Sequence, residues 1–133
     1  MSDRRIHTRL YYVEDSAELR RRVDWELAQI DGVEVIGHSE RAPEALHEIR
    51  RHQPDVVVLD LQLLEGSGLD VLKGLRHDEW QPIVMVLTNH SDPTSREHSI
   101  KAGAKYFFDK STEFDLFVAA LRQLSDRPLR SAE

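Results

Sequence analysis

The segment Pro-Asp-Val-Val-Val-Leu-Asp-Leu at residues 54–61 constrains the fold more than any other part of the sequence. Its four consecutive apolar residues, 56–59, are followed at once by Asp60. A short valine-rich run of this kind is typical of a strand buried on both faces of a parallel sheet. A buried strand does not accommodate a charge, so we predict that Asp60 lies at the strand's carboxyl end, where open α/β sheets bind ligands. The alternative is that Asp60 only begins a turn.

Composition limits the classes of protein to consider. A chain of 133 residues, 40% of them hydrophobic, is sufficient for one domain with its own core. The net charge of −6 does not favour binding to nucleic acid or to an anionic membrane surface. The absence of cysteine excludes disulfides and thiolate metal sites. No apolar run approaches the roughly 20 residues of a membrane span, and the polar amino terminus lacks the apolar core of a signal peptide, so we expect a cytoplasmic protein.

Apolar runs and helical patterns alternate along the chain. The predicted strands lie at residues 10–13, 33–38, 56–59, 82–87 and 104–109, and helical patterns follow them at about 16–30, 42–52, 69–77, 91–102 and 114–124. This βαβαβαβαβα alternation predicts one parallel sheet with right-handed crossovers and helices on both faces. We predict a single doubly wound α/β domain of the flavodoxin type, with strand order 2-1-3-4-5.

The sequence predicts how two of the helices, the third and the fourth, pack against the core. In the third, Leu69, Leu72 and Leu75 predict the buried stripe, with Val71 outside it. The fourth has few large apolar residues, chiefly Ile100, so we expect it to be weakly held to the core and to open locally at low cost.

Four of the predicted strands end in polar side chains, namely Glu14 and Asp15, Asp60, Thr88 and Lys110. In a parallel sheet these ends meet at one edge. Three neighbouring carboxylates repel one another, and oxygen ligands without cysteine favour Mg²⁺. An aspartate beside Mg²⁺, with a hydroxyl and an ammonium group nearby, suits phosphoryl transfer to the carboxylate. Each residue alone is more often a helix cap, a local backbone contact or a solvated charge, but their occurrence at successive strand ends favours a site.

The sequence resembles the response regulator receiver domains of two-component signalling over residues 9–124. The matching motifs are Val13-Glu14-Asp15, Val57-Val58-Leu59-Asp60, the loop from Leu61 through Gly68-Leu69, Val86-Leu87-Thr88, Ala102-Gly103-Ala104 and Phe107-Phe108-Asp109-Lys110. The resemblance implies a fold like that of the chemotaxis regulators. It also implies that Asp60 accepts the phosphoryl group, and that Glu14, Asp15, Asp60 and the backbone carbonyl of Gln62 bind Mg²⁺.

The resemblance further implies how the site would switch. Thr88 and Lys110 would bind the phosphoryl group, and Phe107 would be the aromatic residue that rotates after phosphorylation. Gln62 and His90 occupy the two positions at which the family tunes dephosphorylation, where each side chain could order or block a water molecule.

Three residues depart from the family pattern. Ser111 stands where proline usually follows the lysine, which makes the placement of Lys110 less constrained. Leu64 stands where the loop after the phosphoacceptor often carries proline. Asn89 is bulkier than the small residue usual after the switch hydroxyl and would narrow access to Asp60.

The leading functional hypothesis is a stand-alone receiver, phosphorylated by a histidine kinase or a histidine phosphotransfer protein. Phosphorylation would change a protein-binding surface on helix 4, strand 5 and helix 5, presented to a downstream protein partner, and could also produce a dimer. The receiver would catalyse its own phosphorylation and slow autodephosphorylation without being a turnover enzyme. We expect the receiver domain at residues 9–125, with a polar extension at 1–8 and a polar tail at 126–133.

Three alternatives remain at this point. The chain could be a receiver-like interaction module that does not use phosphate, or the receiver fragment of a longer transcriptional regulator. A phosphatase of the haloacid dehalogenase type is the third, but it needs a second aspartate where Gln62 stands.

Overall fold

The protein is built from five strands and five helices that alternate along the chain, in a computed structural model that describes residues 8–125. The elements are β1 (Thr8–Val13), α1 (Ala17–Leu27), β2 (Val33–Ser39), α2 (Ala42–His52), β3 (Val56–Leu59), α3 (Gly68–Leu75), β4 (Ile83–Thr88), α4 (Pro93–Lys101), β5 (Tyr106–Asp109) and α5 (Phe114–Ser125). The strands are parallel and form one sheet in the order β2-β1-β3-β4-β5. The predicted flavodoxin-like α/β fold is therefore confirmed.

The side chains of the central strand β3 divide the core into two layers. Val57 and Leu59 belong to the cluster formed with α2 and α3, whereas Val56 and Val58 belong to the cluster formed with α1 and α5. All four residues are almost fully buried. Because β3 is hydrogen-bonded to β1 on one side and to β4 on the other, a continuous apolar sequence is what this position requires.

Helix α3 differs from its prediction. It ends at Leu75 rather than near His77, and Val71 is fully buried while Leu69 is only partly buried. Ser67 caps this helix and exchanges reciprocal hydrogen bonds with Asp70, which fixes where the first turn begins. The buried stripe runs through residues 68, 71, 72 and 75, so Leu72 and Leu75 are buried as predicted, whereas the predictions for Leu69 and Val71 are wrong.

Helix α4 contributes one fully buried side chain, that of Ser99, and Ile100 is 45% exposed. The one large apolar residue of this helix, Ile100, therefore contributes little to the core. Asp92 caps α4 by accepting a hydrogen bond from the backbone of Ser95 at 3.0 Å. The absence of a buried apolar side chain within α4 agrees with the expectation that this helix is weakly held.

The loop after β3 returns very close to the strand end. Gly68 donates a backbone hydrogen bond to the carbonyl of Leu61 at 3.0 Å. A Cβ atom at position 68 would lie 3.0 Å from the Leu61 Cα and would overlap the carbonyl oxygen of Asp60. Glycine is therefore required here for the backbone to approach, and this approach holds the Asp60 segment in place.

The polar extension and the polar tail predicted at the two ends of the chain fall almost entirely outside the described residues. Thr8 is the first residue of β1, paired with Val33, while the rest of the predicted extension at 1–8 and the predicted tail at 126–133 lie outside the described residues. Within residues 8–125, no helix has both the length and the apolar character that crossing a membrane would need.

Candidate functional site

The predicted site residues lie at the carboxyl edge of the sheet because of the strand register. Val13 pairs with Leu59, so the next residues, Glu14 and Asp60, leave neighbouring strands side by side. The backbone N–H of Asp60 donates to the carbonyl of Val13 at 3.0 Å. On the other side of β3, Thr88 ends β4 opposite Asp109 of β5.

Lys110 joins these strand ends. Its Nζ atom lies 2.8 Å from Asp60 Oδ2 and 2.9 Å from Glu14 Oε1. Its backbone N–H donates to the carbonyl of Thr88 at 3.0 Å, which fixes the residue beside β4. Glu14 is 1% exposed and Asp60 is 3% exposed, so the ammonium group is held between two buried carboxylates.

Burial and charge alter the titration of this cluster. Burial, reinforced by the negative charge of Asp60, raises the pKa of Glu14 to about 7, although Lys110 acts to lower it. Burial acts to lower the pKa of Lys110, but the hydrogen bond and charge of Asp60, followed by those of Glu14, outweigh it and leave this pKa raised. The electrostatics therefore favour additional positive charge beside Glu14.

The three predicted metal ligands form one cluster. Glu14, Asp15 and Asp60 each offer a carboxylate oxygen, and these oxygens lie within 4.8 Å of one another. The remaining contacts orient them: Glu14 Oε2 accepts from the backbone of Ser16 at 3.0 Å, and Asp60 Oδ1 from the backbone of Gln62 at 3.3 Å. An oxygen-only donor set with more negative than positive charge fits a hard divalent cation such as Mg²⁺.

The two positions implicated in dephosphorylation are in contact with each other. The Nε2 atom of His90 lies 2.7 Å from Oε1 of Gln62, and because an amide oxygen only accepts, His90 donates. The backbone N–H of His90 also donates to Thr88 Oγ1 at 3.1 Å. The loops that follow β3 and β4 are thus bridged by the side chains of Gln62 and His90.

Phe107 is buried at 5% exposure and packs with the α2–α3 core layer. The guanidinium carbon of Arg96 lies 4.8 Å from the centre of its ring. Arg96 also lies 3.9 Å from Glu113 Oε1, which accepts the backbone N–H of Asp109 at 2.9 Å. Nothing in the local sequence of Arg96 or Glu113 distinguishes these residues from solvated surface charges, so neither was predicted.

Two of the departures from the family pattern contact each other. Ser111 Oγ donates to Asn89 Oδ1 at 3.1 Å, so the loops after β4 and β5 are linked. Asp109 Oδ1 accepts the backbone N–H groups of Ser111 and Thr112 at 2.7 and 2.9 Å. These bonds order the residues after Lys110 without a proline. The third departure, Leu64, is 56% exposed in the loop after β3.

Comparison with known proteins identifies the family. The family model for the response regulator receiver domain matches residues 10–122. The chain therefore belongs to the response regulator receiver domain family, a family of signalling domains in two-component systems.

Two curated relatives are longer than this chain. The chain is 35% identical over 126 residues to the transcriptional regulatory protein KdpE of Mycobacterium tuberculosis, matching 95% of this chain and 54% of that protein. It is 33% identical over 117 residues to a protein-glutamate methylesterase/protein-glutamine glutaminase of Carboxydothermus hydrogenoformans, matching 86% of this chain and 34% of that protein. The chain thus spans about half of one relative and a third of the other.

A solved structure shows the same architecture. The signal receiver domain of the putative response regulator NarL from Mycobacterium tuberculosis superposes with a TM-score of 0.82 at 25% identity. The match covers 92% of this chain and 99% of that domain.

The raised pKa of Glu14 gives a pH-dependent prediction. Between its ordinary value of 4.5 and about 7, the folded state retains a proton at Glu14 that the unfolded chain has released, so the stability of the wild type falls as pH rises through this window. Glu14→Gln removes this loss. Its free energy of unfolding relative to wild type should therefore rise between pH 5 and pH 8 by up to roughly 3 kcal/mol, at about 1.4 kcal/mol per pKa unit.

Urea unfolding of both proteins in buffer containing EDTA measures this difference. Glu18→Gln, which removes an exposed carboxylate from α1, controls for the loss of one negative charge. If the free energy of unfolding of Glu14→Gln relative to wild type stays constant or falls as pH rises, the raised pKa assigned to Glu14 is contradicted.

Proposed function

We propose that this protein is a phosphorylation-controlled switch in which Asp60 accepts a phosphoryl group from a histidine kinase or a histidine phosphotransfer protein. The observation that carries the proposal is the contact of Lys110 Nζ with both Asp60 and Glu14, at an edge where Asp15 adds a third carboxylate. A structural ion pair needs one carboxylate for each ammonium group. The excess of carboxylates is better explained by a site that receives a cation and a phosphoryl group.

In the proposed step, a carboxylate oxygen of Asp60 attacks phosphorus and an O–P bond forms. The P–N bond of the donor histidine breaks, and its electron pair stays on the imidazole, which then takes up a proton. Lys110 is placed to pair with phosphoryl oxygens as they approach Asp60. The hydroxyl of Thr88 is buried at the end of β4, on the other side of β3 from Glu14. It would be the neutral hydrogen-bonding partner of the phosphoryl oxygens.

Mg²⁺ is the cofactor that fits the donor set. Glu14, Asp15 and Asp60 would hold it, and the backbone carbonyl of Gln62 is the further ligand proposed from the family pattern. The ion would neutralise negative charge on Asp60 and on the incoming phosphoryl oxygens.

The proposed output is a change in the surface formed by α4, β5 and α5. The ring of Phe107 is already buried beneath Arg96, so we propose that phosphorylation stabilises this inward position together with Thr88. Helix α4, which contributes one buried side chain, is the element with the least packing to oppose a shift.

The organisation of the whole protein is also a proposal. Residues 9–125 are proposed as the receiver, and its proposed location is the cytoplasm. The receiver would regulate a separate downstream protein, and phosphorylation could also produce a dimer. The longer relatives favour the alternative that the receiver controls a linked domain. In both organisations the receiver transmits a signal, and we propose that it is not a turnover enzyme.

The first experiment is a titration with beryllofluoride and Mg²⁺, a stable mimic of the aspartyl phosphate. We expect saturable amide NMR shifts at Asp60, Thr88 and Lys110 that extend into α4, and no such shifts in Asp60→Asn, because the mimic needs the carboxylate. Asp55→Asn, which changes an aspartate at the opposite end of β3, is the matched control and should respond like wild type.

The result separates the alternatives. A response confined to the site would show that a phosphoryl group binds without switching. No response in a folded protein that still binds Mg²⁺ would favour the phosphate-independent interaction module.

The bridge between Gln62 and His90 predicts the lifetime of the phosphoryl group. Because the two side chains hold each other across the loops beside Asp60, we expect them to restrict the approach of water. Gln62→Ala and His90→Ala should each speed autodephosphorylation by about three- to tenfold, and the double variant should be no faster than either one, since residues in contact are not additive.

Phosphate release after phosphorylation with a small-molecule donor measures these rates. His47→Ala, in which the residue replaced is 75% exposed on α2, is the control and should keep the wild-type rate. Additive effects of the two substitutions would show that the residues act independently rather than as a bridge.

The contact between Arg96 and Phe107 predicts a role for Arg96 in switching. If the guanidinium holds the ring inward, Arg96→Ala should lower the apparent affinity for beryllofluoride by about two- to fivefold, corresponding to a cation–π contact of about 0.5–1 kcal/mol. The shifts in α4 should become smaller at saturation.

Arg22→Ala is the matched control, since Arg22 lies 4.1 Å from the ring centre of Phe114 on the other face of the sheet. It should lower the free energy of unfolding without changing the response of α4. Equal effects of the two substitutions on beryllofluoride affinity would contradict a specific role for Arg96.

A further inference from the structure

A basic groove lies between α3 and α4, apart from the carboxylate cluster. Its volume is about 220 Å³, and its lining combines two apolar residues with two lysines, one arginine and one histidine. The lining residues are Leu69, Lys73, Arg76, His98, Lys101 and Ala102. No carboxylate is among them, in a chain whose net charge is −6.

Several cationic side chains elsewhere in the described part of the chain have an acidic partner, whereas most of those in the groove do not. Arg20, Arg41, Arg50 and Arg96 each pair with a carboxylate. Within residues 8–125, the side chains of Lys73, Arg76 and His98 have no ion pair or hydrogen bond. Lys101 pairs only with Glu97 of its own helix, and both are largely exposed, so this pair is readily exchanged for another.

Part of this charge has a structural explanation. Lys73 lies in the last turn of α3, and His98 and Lys101 lie in the last turn of α4, where a cation interacts favourably with the helix dipole. The dipole accounts for basic residues at each helix end. It does not explain why the basic residues of two helices line one groove together with apolar residues, while no carboxylate is part of that lining.

We propose that this groove binds an acidic peptide segment of a partner protein, with an apolar side chain of the segment against Leu69 and Ala102 and its carboxylates paired with Lys73, Arg76 and Lys101. The inference needs only the fold and the charges of the groove. It does not depend on the chemistry proposed for Asp60, and it places a partner on the α3 side of α4 rather than on the surface formed with β5 and α5.

The size and charge of the groove favour a peptide over other anions. A volume of about 220 Å³ is below the roughly 300–1,000 Å³ of pockets that enclose a whole small molecule, but it accommodates one or two side chains. Three permanent positive charges on a strongly acidic protein are few for a nucleic acid, whose binding depends on many phosphate contacts. The apolar residues in the lining also have no role in contacting a phosphate backbone.

The test uses the full chain and a fluorescein-labelled ten-residue peptide of alternating acidic residues and leucine. Its comparison peptide replaces every Asp and Glu by Asn and Gln. We expect amide NMR shifts at the residues that line the groove, and binding that weakens with salt. The double variant Lys73→Glu/Arg76→Glu should weaken binding at least about fivefold, since it reverses two surface charges.

Arg21→Glu, on the exposed face of α1, makes a comparable charge reversal away from the groove and should bind as wild type does. Circular dichroism and thermal unfolding establish that each variant is folded. The same titration on Asp60→Asn should give the wild-type affinity, so failure of the phosphorylation proposal and failure of this one are distinguishable.

Four results would overturn the proposal. They are equal binding of the neutral peptide, shifts that do not centre on the groove, tighter binding of a single-stranded DNA oligonucleotide, and equal competition by inorganic phosphate. A salt-sensitive dimer of wild type that is lost in Lys73→Glu/Arg76→Glu, seen by sedimentation equilibrium, would assign the groove to a second copy of this chain instead.

Discussion

One partly buried ammonium group between two buried carboxylates determines how the functional edge of this protein is arranged. Lys110 contacts Asp60 and Glu14 at 2.8 and 2.9 Å, where little water can compensate the charges. With Asp15 nearby, three negative charges face one positive charge. Burial, reinforced by this imbalance, raises the pKa of Glu14 and makes further positive charge favourable, which supports the cation and phosphoryl site proposed for this edge.

The surroundings of α4 contrast with this tightly held edge. The central strand β3 is buried on both faces, whereas α4 contributes only the side chain of Ser99 to the interior. The contact of Arg96 with Phe107 lies on one side of α4, and the basic groove lies on the other. A helix with so few buried side chains opens locally at low free-energy cost.

The sequence predicted the fold well because its strongest signals are local. The valine-rich segment of β3, the alternation of strands and helices, and the polar residues after each strand all act over a few positions. The errors arose where partners distant in sequence decide. In α3, Val71 is fully buried in the core layer shared with α2, whereas Leu69 is only partly buried, and the leucine spacing alone does not reveal this. The contact between Gln62 and His90, 28 residues apart, also depends on the tertiary fold.

The sequence by itself determined the parallel α/β sheet and the set of polar residues delivered to one edge, since periodicity and strand ends follow from local composition. Only the tertiary structure decided which of those residues touch. It placed Lys110 between Glu14 and Asp60, paired Ser111 with Asn89, placed Arg96 over the ring of Phe107, and brought basic side chains at the ends of α3 and α4 into one groove. The physical reason is that distances of a few ångströms between side chains depend on register and packing across the whole sheet, which no single stretch of sequence contains.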